Sequence, residues 1–174
     1  MNLIQPQFTN RDVLRVLPDL HPDVFQDLVN RRLIQPESER NPGYGKKRLY
    51  SAENVLQIAL VHALLETGLT PGEAVFMCDR NTVQEIRPEG RLPFYALVRV
   101  PFGRGPVNRE RQYMMYKPGY VFSDGKKCEL PELIARLQEN GIPAIVLFTR
   151  KIEETTMAEL EKILNERGPQ EAKP

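Results

Sequence analysis

Cysteine is scarce in this chain: Cys78 and Cys128 stand 50 positions apart in 174 residues, and neither has a second cysteine nearby. That is too sparse for a disulfide framework or a closed zinc site. No apolar run approaches the roughly 20 residues a membrane-spanning helix needs, so no membrane partner is expected. The opening residues, MNLIQPQFTNRD, lack the basic head, apolar middle and small-residue cleavage site of a secretory signal, which makes a cytoplasmic location the expectation. The formal charge of +1 gives no overall pull toward nucleic acid or membrane. Histidine occurs only at positions 21 and 62, so the second half has none. A convergent set of acid, base and nucleophile is missing there, and neither an enzyme nor a bound cofactor or metal is expected.

The composition that is present, 41% hydrophobic and 27% charged, is ordinary globular usage and can bury one or two small cores. Charge is unevenly placed. Residues 1 to 90 carry a net −2 and residues 91 to 174 a net +3. Within the first half, Arg31, Arg32, Arg40, Lys46, Lys47 and Arg48 stand against Glu37 and Glu39. A second concentration, Arg99, Arg104, Arg109, Arg111 and Lys117, faces only Glu110. Such runs are solvated surface unless their context gives them a partner.

Local signals divide the chain into two parts. Thr9 and Asp12 form a capping-box-like start to a short helix carrying Val13, Val16 and Leu17, which Pro18 stops. His21-Pro22-Asp23 opens a second helix with Phe25, Leu28, Val29 and Leu33 on its apolar side. Residues 35 to 50, QPESERNPGYGKKRLY, have no helical period and a turn signal at Asn41-Pro42-Gly43, the pattern of a hairpin or wing. Ser51 caps a third helix whose apolar face is Val55, Ile58, Ala59, His62 and Leu65, ended by Gly68. Thr70, Pro71 and Glu73 open a fourth, with Ala74, Val75 and Met77 as its apolar members.

The charged, Pro- and Gly-containing stretch 81 to 93 reads as a linker. Beyond it, 94 to 101, 112 to 117 and 120 to 122 have strand composition. Leu130, Leu133, Ile134 and Leu137 predict an amphipathic helix, and 142 to 149, IPAIVLFT, a buried central strand. Met157, Leu160, Ile163 and Leu164 predict a last helix over about 155 to 167, followed by a disordered tail from 169. The expected fold class is α+β: an all-α winged helix-turn-helix of four short helices over 1 to 80, then a small α/β domain over 94 to 168 built as hairpin, helix, strand, helix.

Two short helices across a tight turn, a wing, and two more helices is the winged helix-turn-helix order. Residues 8 to 80 go further: GYGKKRLYSAENV and LLETGLTPGEA place an aromatic-basic-aromatic wing, a Ser with an acidic residue, and a Gly between helices three and four. In these features the segment resembles the DNA-binding domain of the mercury-resistance regulator (MerR) family. The resemblance implies double-stranded DNA as partner, with the second helix in the major groove and the wing on the backbone. Carried over by position, the implied contacts are Arg11, His21, Gln26, Arg40, Tyr44, Lys46, Lys47, Arg48 and Tyr50.

Where the family has Arg-Tyr-Tyr in the recognition helix, this chain has Gln26, Asp27 and Leu28. An amide can still hydrogen-bond an adenine edge, whereas an Asp in the groove repels phosphate. The family's long dimerising helix has no counterpart, because 80 to 93 is short and contains Pro. A homodimer would have to form through the C-terminal domain, which is also the place for an unidentified small-molecule effector. The loop 103 to 111, GRGPVNRER, joins two predicted strands and so is no P-loop. The competing reading, favoured by the acidic balance of the first half, is a winged-helix adapter for another protein.

Overall fold

The computed structural model describes residues 5–36, 48–78, 95–99, 113–116, 129–139 and 144–167. The chain divides into one unit of Met1–Arg87 with Ile152–Pro174, and a second of Pro88–Lys151.

In the first unit, reciprocal caps fix where three helices begin. Helix α1, Asn10–Val16, starts at Thr9, whose hydroxyl accepts from the Asp12 N–H while the Asp12 carboxylate accepts from the Thr9 N–H at 2.6 Å. Ser51 and Asn54 do the same for α3, Ala52–Glu66, as do Thr70 and Glu73 for α4, Pro71–Met77. Helix α2, Pro22–Asn30, is capped instead by the His21 imidazole, with Pro22 in the first turn where its missing N–H costs nothing.

Two helices end alike. At α3 the Gly68 and Leu69 amides donate to Leu65 and Leu64, with Gly68 at φ 87. At α2 the Arg32 and Leu33 amides donate to Val29 and Leu28, each at 3.0 Å, and the left-handed position is held by Arg32 at φ 58. Glycine is the usual residue there, so Arg32 keeps its place at some conformational cost.

Helix α3 is the hub of this unit. Val55, Leu56, Ile58, Ala59, Leu60, Val61 and Leu64 are all buried, so it is covered nearly all round and not along one face as the sequence suggested. A single antiparallel bridge joins Phe8 to Tyr50, and both side chains are fully buried.

The second unit holds strands β1 (Tyr95–Arg99), β2 (Tyr113–Tyr116) and β3 (Ala144–Leu147) in the order β2-β1-β3. Both pairings are antiparallel, with Leu97 opposite Met115 on one side and Ile145 on the other. Helix α5, Leu130–Glu139, buries Leu133 and carries an Arg136–Glu132 pair at 3.0 Å. Helix α6, Thr149–Arg167, has most of its length in the first unit and buries Thr156, Leu160 and Ile163.

This architecture corrects the expected fold class. The described residues are predominantly helical, six helices against three strands of four or five residues, and no separate hairpin-helix-strand-helix α/β domain closes the chain. The last helix belongs with the first four, so the described residues of that unit hold five helices. The apolar segment at 142 to 149 supplies an edge of the sheet in the described pairing, and β1 is its centre. Helix α6 also starts six residues before the sequence suggested, because Arg150, Lys151, Glu153 and Glu154 are good helix formers and no breaker separates them from Thr155. The expected strand at 120 to 122, the loop at 103 to 111, the linker and the tail lie outside the described residues. Among the described residues no helix is long and apolar enough to cross a membrane.

Candidate nucleic-acid interface

Helix α2 turns Phe25, Leu28 and Val29 into the core, and that leaves Asp23, Gln26 and Asn30 on the opposite, exposed side. The Gln26 amide donates to the Asn30 side-chain oxygen at 2.7 Å, one turn along. Asp27, which would repel phosphate if unpaired, accepts from Arg31 at 2.7 Å, again at i, i+4. The outer face of α2 is therefore a pair of neutral amides beside a self-neutralised ion pair, with the exposed Asp23 carboxylate in the first turn. Asn30 was not singled out in the sequence, although its spacing of four from Gln26 was the signal that would have found it.

The other predicted residues are dispersed. Arg11 is exposed on α1 and makes no ion pair among the described residues. His21 is exposed and accepts the Asp23 N–H through Nδ1 at 3.2 Å, with the Asp23 carboxylate 3.7 Å away; its present work is that of a cap. Arg48 is half-buried. Tyr50, predicted to meet DNA, is instead a core residue: its ring centre lies 5.7 Å from that of Phe25, and its hydroxyl has no hydrogen-bond partner among the described residues. Loss of hydration pushes that phenol up to about 12, only partly offset by the Arg48 charge. Arg40, Tyr44, Lys46 and Lys47 lie outside the described residues.

The carboxyl end of α6 reaches α1, a contact the sequence did not announce. Arg15 donates to both carboxylate oxygens of Glu166, at 2.5 and 2.7 Å. Arg167 pairs with Asp12 and also donates to the Gln7 carbonyl at 2.9 Å. Asp12 thus serves two partners, its own helix cap and α6. Burial pushes its carboxyl up, but hydrogen bonds from Arg167 and Thr9 outweigh this and hold it below the ordinary aspartate value.

A depressed carboxyl contributes stability that is complete above the unfolded-state value of 3.8 and is lost as pH falls through the folded one. The expected outcome is a denaturation midpoint that drops as pH falls below about 4, measured by urea titration. Asp12→Asn should flatten that part of the profile and cost about 1 kcal/mol at pH 7, because it weakens both the cap and the pair.

Among the described residues no group of three or more His, Cys, Asp or Glu is gathered to hold a metal ion. No protein-family model matches the chain, and no curated protein matches it.

Proposed function

We propose that the chain is a DNA-binding regulator of transcription in which α2 enters a major groove and the basic residues Lys46, Lys47 and Arg48 meet the backbone. The observation that carries this reading is the Gln26–Asn30 amide pair, held on the solvent side of a nine-residue helix whose other side is anchored in the core. Asn and Gln are the side chains whose donor and acceptor match adenine's N6 and N7. The outer face of α2 carries no net positive charge to spend on phosphate, so affinity rests on the wing cations, Arg11 and Arg40, while α2 contributes selectivity. The resemblance of residues 8 to 80 to the MerR family supports the same assignment. Work on two half-sites needs paired copies, and the second unit is the proposed place both for that pairing and for an effector.

The test is retention of a random-sequence duplex pool at low and moderate salt, with sequencing of the retained fraction. An enriched motif is expected, two-fold symmetric if the chain binds as a dimer. Gln26→Ala should change the motif at one or two positions and leave the salt dependence nearly as it was. Retention without enrichment would reduce the function to backbone affinity. A second reading, a docking adapter for another protein, is favoured by Phe76 on α4, 79% exposed, and by an outer face of α2 that carries Asp23 and no net positive charge. Absence of any retention at low salt would select it.

A further inference from the structure

The bidentate pair between Arg15 and Glu166 is poorly explained as a stability element. Its side chains are 46% and 47% exposed, and exposed ion pairs add little to folding. Its geometry, a planar guanidinium fork on two oxygens of one anion, is the geometry with which arginine takes phosphate. Glu159 lies seven residues before Glu166, on the same side of α6, and its charge also acts on Arg15. Arg15 in turn stands four residues after the exposed Arg11, on the same face of α1.

We propose that Glu166 is a built-in phosphate mimic that withholds Arg15 from nucleic acid, so that the last turn of α6 sets how strongly the chain binds. This rests on the DNA-binding reading. With α6 in place, Arg11 acts without its neighbour. When the last turn of α6 moves away, Arg11 and Arg15 form a cationic pair one helical turn apart, about the reach needed to take adjacent phosphates of one strand. A backbone phosphate carries the same charge as Glu166 and comes with others beside it, so it competes with the internal carboxylate as salt is lowered. Arg167, bound to Asp12 and to Gln7, holds the same turn down.

The test compares the full chain with Glu166→Gln, with Arg15→Gln/Glu166→Gln, and with Glu161→Gln, by fluorescence anisotropy on a labelled random-sequence duplex from about 50 to 200 mM salt. Glu161 is exposed on the same helix, and its replacement makes the same change in net charge away from Arg15. Glu166→Gln should bind about three- to tenfold more tightly at the low-salt end, with a salt slope steeper by about 0.9, one further phosphate. The double variant should lose that gain, and Glu161→Gln should bind like the parent. Equal binding by the parent and Glu166→Gln would overturn the proposal while leaving the DNA-binding reading intact, as would an equal gain in Glu161→Gln. No salt-dependent binding by any of the four would overturn both.

Discussion

Replacing Tyr50 with alanine should cost about 3–5 kcal/mol of folding stability, the largest single-residue effect expected in this chain. The side chain is completely buried, its ring packs on Phe25, and its backbone supplies the N–H and C=O of the bridge to Phe8. A hole at that point would be lined by side chains from the bridge and from α2, which the bridge and the helix caps hold in place, so little collapse can refill it. Tyr50→Phe should do the opposite. It keeps the ring and deletes a buried hydroxyl that has no partner among the described residues, so stability should be unchanged or raised by up to about 1 kcal/mol.

The same residue dictates an alkaline limit. Its folded value, about 12, lies above the ordinary 10, so the folded state favours the neutral phenol. Stability is complete below pH 10 and falls as pH climbs from 10 toward 12, because the unfolded chain releases the proton first. Denaturation midpoints for the parent and Tyr50→Phe, taken at pH 8 and near pH 11, check this directly. The parent should lose stability over the interval and the variant should not lose that part. A Tyr50→Ala protein as stable as the parent would refute the core assignment.

Reversing the charge of Lys46, Lys47 and Arg48 together should weaken duplex binding on the order of 100-fold at about 100 mM salt, for all sequences alike. Five neutralised phosphates, one for each of Arg11, Arg40, Lys46, Lys47 and Arg48, correspond to a salt slope of about −4.5, at about 0.9 for each phosphate, and three lost contacts bring it to about −2 or shallower. The variant separates backbone affinity from selectivity, since Gln26 and Asn30 stay in place on α2. Whatever binding survives at low salt should keep the parent's sequence preference. A triple variant that binds as tightly as the parent, with the parent's slope, would remove the wing from the interface.

Helix starts and ends were readable from the residues because each signal acts over three or four positions. Thr9 with Asp12, Ser51 with Asn54 and Thr70 with Glu73 are complete within one turn, and Gly68 ends α3 through its own backbone freedom. The exposure of Gln26 followed in the same way from the apolar spacing of Phe25, Leu28 and Val29. His21 was readable as a helix start but not as an imidazole cap, a role more often taken by Ser, Thr, Asp or Asn.

The sequence left Tyr50 open between an anchor on the core and a DNA contact, because an aromatic beside Lys46, Lys47 and Arg48 has the composition of a backbone-contacting wing. Only its pairing with Phe8, 42 positions earlier, takes it into the core. The sequence by itself determined the order of helices in the first 80 residues, the caps of three of them, and an α2 face bearing Gln26 in place of a cation. The tertiary structure alone decided that α3 is enclosed, that α6 joins the first unit, and that Glu166 meets Arg15 across 151 positions. Caps and periodicity are written in neighbouring residues, whereas the choice between solvent and a distant partner for Arg15 depends on which surfaces the folded chain brings together.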